Sequence, residues 1–517
     1  MNLMRAITTV GGFTLLSRVF GFARDILIAN FLGAGLIADA FFVAFRFPNL
    51  FRRLFAEGAF SAAFVPIFTG LLAREGIASA RLFANQAFSV LAIILIVFVA
   101  AIEVLMPWAM IILAPGFEQV SGKMELAIEL SRIAFPYLLF ISLVSLQSGV
   151  LNSMHRFAAA AAAPVLLNLT FIGGLLLFAG RAETAGHALA WSVSAAGVLQ
   201  FLWLVYHCRR EGVPVGLTRP RLSPQVRLLG KRILPVVFGA SLYQINLLIG
   251  TILATLVADG AVSYLYYADR VTQLPLGVVG VAVGTALLPL LSRQLKSGEQ
   301  AAAMHSQNRG LEFALLLTLP AAFALMAIPQ PIVSVLFERG AFGADASRAT
   351  AAALVAYSTG LPAYVLIKVL APGFFARDDT RMPVRIAAAA MVLNILLNLI
   401  GMRVWGYVGI AVAGSVSAWI NALGLGLVLH HRGHLVLDRR FRQRWYRVLA
   451  ASVLMAAGLH FASAWLSPLL AGTGFQPALA LVLLIGGGLL LFSGLALLTG
   501  AASWHDLRSL RRAANAT

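Results

Sequence analysis

The sequence predicts an all-α polytopic membrane protein of about fourteen transmembrane helices, arranged as two parallel-repeat six-helix lobes and two extra C-terminal helices. The first observation behind this prediction is composition: the 517 residues are 60% hydrophobic and 11% charged, whereas soluble domains carry about 25% charged residues. The second is that apolar stretches of about 20 residues, long enough to cross a bilayer, recur along the whole chain. The third is an internal repeat.

The apolar stretches define the helices in chain order. The first contains Arg18, Arg24 and Asp25 and lacks a clear small-residue cleavage site, so we expect a membrane helix there and no cleavable signal peptide. The predicted helices span residues 7–30, 35–57, 83–113, 126–152, 158–180, 185–207, 233–258, 263–291, 310–337, 348–371, 383–402, 407–430, 446–466 and 477–500.

The two halves of the chain share residues at a nearly constant offset of about 224 positions. The pairs are Ala44 and Ala268, Pro66 and Pro289, Pro107 and Pro331, Pro136 and Pro362, and Asn168 and Asn394. The offset spans six helices, an even number that preserves orientation, so the repeat is parallel, with its axis along the membrane normal. We therefore predict an N-lobe at 1–208, a basic cytoplasmic linker at 209–232, a C-lobe at 233–432, and two further helices with a cytoplasmic tail at 433–517.

Basic residues collect on one side of the predicted membrane. Segments on the side of the N-terminus hold about 26 of the 39 Lys and Arg, and the opposite loops hold about six. By the positive-inside rule, this bias predicts that both termini are cytoplasmic. The net charge of +19 then reflects loops beside anionic lipid, and we expect no nucleic-acid partner. The chain contains a single cysteine, Cys208, and no His-Glu-x-x-His spacing. We therefore expect neither a metal site nor a cofactor.

Arginines interrupt the hydrophobic stretches where a charge costs about 2.5–3.5 kcal/mol on insertion scales. In the first helix, Arg18 and Asp25 share a face, whereas Arg24 lies about 120° away with no obvious partner on its own face. Arg18 is therefore either a ligand of an anion or half of a structural pair with Asp25. Arg24 is the stronger ligand candidate, because the fixed positive fork of arginine suits phosphate.

The second helix carries three more arginines and two acids. Arg53 and Glu57 stand at i, i+4 spacing, which favours a local ion pair. Arg52 faces elsewhere and is the better ligand candidate, whereas Arg46 fits either role. Asp39 lies near the outer end, where a gate latch between lobes and a plain helix-end carboxylate fit the spacing equally well.

The counterpart of the second helix in the other lobe carries Asp269 and Arg270. This repeat position predicts a cation facing the first lobe. We expect Arg24, Arg52 and Arg270 to bind one anionic group, and Asp269 to balance the charge when that group is absent.

These stretches resemble the MurJ (MviN) family, the flippases of the lipid-linked peptidoglycan precursor lipid II. The resemblance rests on six stretches of sequence, and the predicted helix count agrees with it. The stretches are Ser-Arg-Val-Phe-Gly-Phe-Ala-Arg-Asp at 17–25, Ala-Asp-Ala-Phe-Phe at 38–42, Arg-Phe-Pro-Asn-Leu-Phe-Arg at 46–52, Glu-Gly-Ala-Phe-Ser at 57–61, Tyr-Ala-Asp-Arg at 267–270 and Phe-Ala-Arg-Asp-Asp-Thr-Arg at 375–381.

The resemblance implies the fold of the multidrug/oligosaccharidyl-lipid/polysaccharide exporters and a cationic cavity lined by helices one, two, seven and eight. It implies substrate-binding roles for Arg18, Arg24, Arg52 and Arg270, with gating or charge-balance roles for Asp25, Asp39, Glu57 and Asp269. The last two helices would form a groove for the polyprenyl tail. Some family members have a sodium site in the second lobe; here 236–257 contains no carboxylate, which leaves only Asn394 and Asn398 as neutral candidates.

The expected function is therefore lipid II translocation by alternating access in the bacterial cytoplasmic membrane, driven by membrane potential and not by enzymatic catalysis. A coupling cation, membrane lipids and the cell-wall synthesis machinery are further expected partners. The alternatives are a flippase for another polyprenyl-linked oligosaccharide, a drug/cation antiporter, a polyprenyl-phosphate glycosyltransferase and an anion channel. An antiporter would favour an acidic cavity, and a glycosyltransferase would need paired carboxylates on larger outer loops.

Overall fold

The structure is a computed structural model that describes residues 3–53 and 59–502, without the side chains of 3–7, 59, 234–243 and 278–286. Within the described residues, ten helices are long and apolar enough to cross a membrane, counting the segment Lys123–Ser153 as one. All-helical folding is what a bilayer demands, because a helix pairs its backbone N–H and C=O groups within itself. The predicted class of polytopic helical membrane protein is confirmed.

The chain folds into two compact units. Unit 1 comprises Met1–Ser263 together with Gly340–Phe342. Its helices are α1 (Leu3–Leu32), α2 (Leu36–Phe51), α3 (Ala59–Glu75), α4 (Ile77–Leu113), a short 3₁₀ helix (Pro115–Gln119), α5 (Lys123–Ala134), α6 (Tyr137–Ser153), α7 (Phe157–Phe178), α8 (Ala185–Arg210) and α9 (Pro224–Thr255).

Phenylalanine rings form the core of unit 1. Phe64 of α3 stacks on Phe68 of the same helix and on Phe83 of α4, with ring centroids 5.6 and 5.3 Å apart. Helix α7 packs against both α1 and α8, and α5 packs against both α2 and α8. These two sets of packing interactions fix the neighbours of the charged residues of α1 and α2.

Unit 2 comprises Tyr264–Arg339 and Gly343–Thr517. Its core centres on α13, which packs against α11 and α15, while α18 packs on α16. The helices that lie mainly or wholly in unit 2 are α10 (Ala261–Lys296), α11 (Gln300–Ala327), α12 (Pro329–Phe337), α13 (Ala344–Phe375), α14 (Arg381–Trp405), α15 (Tyr407–His431), α16 (Arg439–Trp465), α17 (Ser467–Leu470) and α18 (Gln476–Leu498).

Three elements differ from the predicted helices. Helix α3 lies in a segment for which the sequence predicts no span; its 17 described residues are at the lower limit of a bilayer crossing. The predicted helix 126–152 is two helices separated at Phe135 and Pro136, where proline supplies no backbone N–H. The predicted helix 310–337 likewise ends at Ala327 and restarts at Pro329.

Candidate functional site

The guanidinium of Arg24 in α1 is buried, with only 7% of the residue exposed. Its Nε and Nη2 donate to Oδ1 of Asp25 at 3.0 and 2.7 Å, and its Nη1 donates to Oδ1 of Asn168 at 2.9 Å. The Phe171 ring lies 5.4 Å away. A buried positive charge is stable only when it is paired and hydrogen-bonded, and these α1 and α7 groups meet that requirement.

Arg24 therefore has a partner on its own helix, Asp25, although the two residues do not share a helix face. Helical-wheel angles describe Cβ directions, but the long arginine side chain turns aside to reach the carboxylate of the next residue. Arg18 is exposed. The sequence marks Asn168 only as a repeat position, yet this residue also donates from Nδ2 to the Ser17 carbonyl at 2.9 Å. The sequence signal for this role is that Asn168 is the single amide side chain of α7.

Asp39 in α2 is completely buried and accepts four hydrogen bonds. Lys123 Nζ donates to its Oδ2 at 2.7 Å, and the Gly260 backbone N donates to the same oxygen at 2.8 Å. The backbone N and Oγ of Ser263 donate to its Oδ1 at 2.8 and 2.5 Å. Asp39 is thus a helix-end carboxylate in the first turn of α2 that is also buried and hydrogen-bonded. The gating role stays a prediction.

Lys123 is a charged residue of unit 1 that sequence reasoning missed. It begins α5 and is 1% exposed. Its ammonium also contacts Asp259 Oδ1 at 2.5 Å and lies 4.4 Å from the Phe117 ring centroid. No spacing in the sequence connects these residues, because their contact depends on how α2, α5 and the end of α9 pack.

The remaining candidates of α2 and its C-terminal end contact groups within unit 1. Arg46 Nη1 donates to Thr251 Oγ1 of α9. Arg52 Nε donates to Asn49 Oδ1 at 2.7 Å, which holds this candidate ligand against its own helix. Glu57, and with it the predicted pair with Arg53, lies outside the described residues.

In unit 2, the candidate cation Arg270 lies over an aromatic ring. Its guanidinium carbon is 4.7 Å from the Tyr266 centroid, and its Nη1 donates to Gln273 Oε1 at 3.5 Å. Gln273 Nε2 donates in turn to Asp269 Oδ2. Gln273 thus connects the predicted cation and its predicted counter-charge within α10. The joint action of Arg24, Arg52 and Arg270 stays a prediction.

A second polar group of unit 2 lies where the loop between α13 and α14 meets the segment that follows α15. Arg432 Nη1 donates to Asp379 Oδ2 at 2.6 Å, and this hydrogen bond lowers the pKa of Asp379. Burial, and secondarily the charges of Arg377 and Arg432, lower the pKa of His434. Both shifts favour a neutral imidazole at His434, after α15, and an ionised carboxylate at Asp379 at neutral pH. Within α14, Asn398 Nδ2 donates to Asn394 Oδ1 at 3.0 Å.

Comparisons with known proteins agree with this architecture. Residues 28–481 match the family described as "Lipid II flippase MurJ". A "Probable lipid II flippase MurJ" of Rhizobium tropici is 45% identical over 481 residues, which is 92% of this chain and 89% of that protein. A structure of "Lipid II flippase MurJ, inward closed conformation" matches with a TM-score of 0.77 at 22% identity, over 94% of this chain and 97% of the other.

An inward-facing MATE family transporter of the MOP superfamily also matches, with a TM-score of 0.67 at 16% identity, over 83% of this chain and 98% of the other. The fold is thus that of membrane transporters of this superfamily. Within that class, the family match across most of the chain and the 45% identity are decisive. The chain belongs to the MurJ family of lipid II flippases.

Proposed function

We propose that this protein is a lipid II flippase, which moves the lipid-linked peptidoglycan precursor from the inner to the outer leaflet of the bacterial cytoplasmic membrane. Membership of the MurJ family across residues 28–481 carries the proposal. The same membership supports peptidoglycan biosynthesis as the pathway and lipid II as the substrate. Membrane lipids and the cell-wall synthesis machinery are the further proposed partners, and both termini are cytoplasmic.

Alternating access is the proposed mechanism. The headgroup enters from the cytoplasmic side, and its pyrophosphate is bound by Arg18, Arg24, Arg52 and Arg270. Asp25, Asp39, Glu57 and Asp269 balance charge or gate the passage. The polyprenyl tail stays in the bilayer along α16 and α18. In support, α18 packs on α16 while Leu489 and Leu490 are 67 and 75% exposed.

The ion pair of Arg24 suits reversible binding of a phosphate. Both Nε and Nη2 contact the same oxygen of Asp25, so an incoming phosphate oxygen can replace a carboxylate oxygen of similar geometry. A buried guanidinium with no anion would be costly. Asp25 therefore keeps the site stable when it is empty, and competition with Asp25 keeps substrate affinity low enough for release.

The membrane potential supplies the proposed driving force. One elementary charge moved through 100 mV is worth about 2.3 kcal/mol. A pyrophosphate carries about two negative charges, so an interior-negative potential drives the headgroup outward. A coupling cation is a further proposed contributor; the Asn394–Asn398 pair is the neutral candidate for its site.

The test is a cell in which this chain is the only lipid II flippase. Depletion should lower the fraction of lipid II that is accessible at the outer face, and expression of the wild-type chain should restore it. Arg24→Ala and Arg270→Ala should not restore it, and dissipating the potential should slow wild-type flipping. If depletion leaves the amount of lipid II at the outer face unchanged, the protein is not the lipid II flippase. Its substrate would then be another polyprenyl-linked sugar or a drug.

Two controls separate binding from folding. Arg24→Ala removes a cation that pairs with the buried Asp25, so the double variant Arg24→Ala/Asp25→Asn should recover stability but not flipping. Arg348→Ala removes an exposed arginine paired with Asp345 at i, i+3 and should flip normally. Full flipping by the double variant would show that Arg24 acts only through its pair with Asp25.

A further inference from the structure

Three potential metal ligands converge in unit 1, and none of them is a candidate substrate-binding residue. Glu129 lies on α5, Glu183 precedes α8, and His187 lies in the first turn of α8. Their side chains line an open cavity of about 720 Å³. One ligand atom from each residue lies within 4.8 Å of the other two. Two acidic residues alone would be weak evidence for a metal site, since exposed carboxylates are common. The stronger evidence is the presence of the histidine.

The imidazole of His187 is held in one orientation by the residue that begins its helix. Thr184 is the N-cap of α8, and its Oγ1 accepts from the His187 backbone N at 3.3 Å. The same Oγ1 lies 2.8 Å from His187 Nδ1. An Nδ1–H that donates to this hydroxyl leaves the lone pair on Nε2. Metal-binding histidines are oriented in this way by a hydrogen bond from the other ring nitrogen.

The Nε2 atom of His187 is buried without a hydrogen-bond partner among the described residues, in a residue only 6% exposed. It lies 3.3 Å from Glu129 Oε1 and 3.9 Å from Glu183 Oε2. Although Glu129 is close enough for a hydrogen bond, the two groups do not have the geometry of one. A direct His–Glu hydrogen bond therefore does not account for the arrangement.

A shared ion does account for these distances. Zinc binds imidazole nitrogen and carboxylate oxygen at about 2.0–2.2 Å, usually with tetrahedral geometry. Two donors at such an ion are about 3.3–3.6 Å apart. The Nε2–Glu129 separation falls in this range, and Glu183, which is 79% exposed, needs only a small movement of its side chain. A mixed nitrogen and oxygen set favours zinc-like ions, whereas Mg²⁺ and Ca²⁺ prefer oxygen alone.

We infer that Glu129, Glu183 and His187 bind a divalent transition-metal ion of the zinc class, with a fourth position open to the cavity. This differs from the sequence-based expectation of no metal site, which considered only cysteine clusters and His-Glu-x-x-His spacing. The ion cross-links α5 to the start of α8. Arg132 lines the same cavity, so its charge weakens cation binding and favours an anionic or water ligand at the open position.

The test is calorimetric titration of ZnCl₂ into the full-length, untagged, chelator-treated protein in detergent micelles. The wild type should bind one equivalent that Glu129→Gln and Glu183→Gln each weaken by more than about tenfold, a loss at least as large as that from removing an outer-shell partner. Co²⁺ in place of Zn²⁺ should give a visible absorption band that His187→Gln abolishes. Both glutamates are exposed, so their variants test the site even if His187→Gln does not fold.

Glu125→Gln is the matched control, because Glu125 lines the same cavity but does not belong to the three-residue set. It should bind Zn²⁺ like the wild type. The inference is overturned if the wild type binds no Zn²⁺, or if the double variant Glu129→Gln/Glu183→Gln binds it with unchanged affinity and stoichiometry. Flipping activity is not the readout, so these outcomes are independent of the proposed function.

Discussion

At the residue scale, two ion pairs among the described residues of unit 1 are buried on both sides, Arg24 with Asp25 and Lys123 with Asp39. The sequence predicted three of these four residues as important, because acids and arginines in apolar helices are conspicuous. It did not predict their partners. Pairing depends on side-chain reach and on helix packing, neither of which a helical wheel contains.

The Lys123–Asp39 pair yields a stability prediction. Lys123→Met should lower the free energy of unfolding by about 3–5 kcal/mol, because it leaves the carboxylate of Asp39 buried without a cation. Lys123→Met/Asp39→Asn should recover most of the loss, since both charges are then absent. The measurement is denaturant unfolding of the purified protein in detergent.

Asp259→Asn is the matched control for this pair. Its carboxylate also contacts Lys123, but it is 48% exposed, so water solvates it and the change should cost about 0–1 kcal/mol. If Lys123→Met is no more destabilising than Asp259→Asn, burial is not what makes the Asp39 pair important for stability.

At the element scale, hydropathy predicted most helix positions well, because a bilayer requires long apolar helices. Helices α8, α15 and α18 begin within a residue of their predicted starts. The prediction failed where a helix is short, as in α3, or where it breaks at Phe135 and Pro136. The sequence also could not predict where cavities and grooves lie, since their positions depend on which helix faces touch.

One such pair of touching faces belongs to α14 and α15, where two glycines face each other. A Cβ on Gly409 would lie 2.0 Å from the Gly401 carbonyl oxygen. Gly409→Ala should therefore destabilise unit 2 by about 1–3 kcal/mol through overpacking, although alanine is normally the better helix former. Thermal unfolding of the variant in detergent measures this loss.

Gly487→Ala in α18 is the control, because no atom outside its own helix lies within 4 Å of its added Cβ. It should be neutral, or stabilising by up to about 1 kcal/mol. Equal effects of the two substitutions would mean that α14 and α15 separate easily and that their close approach does not contribute to stability.

At the scale of the whole molecule, the charge distribution predicts the orientation of the protein in the membrane. That orientation bears on the proposed substrate-binding site and on the proposed metal site. The segment 209–232 contains seven of the chain's Lys and Arg, and such short basic loops stay on the cytoplasmic side. By alternation of the spans, the turn between α4 and α5 then lies outside, as does the start of α8. The Glu129, Glu183 and His187 cluster would therefore face the outer compartment.

Single-cysteine labelling tests this topology, because the natural Cys208 is buried and can be replaced by alanine. Ser121 lies in an exposed turn before α5, and Leu217 lies in the exposed part of the basic loop, so each can be replaced by cysteine as a labelling site. In intact cells, a membrane-impermeant maleimide should label Ser121→Cys, and it should label Leu217→Cys only after permeabilisation. The reverse labelling pattern would mean that the protein has the opposite orientation in the membrane. The membrane potential would then oppose outward movement of the pyrophosphate, and cytoplasmic metal ions would reach the cluster of Glu129, Glu183 and His187.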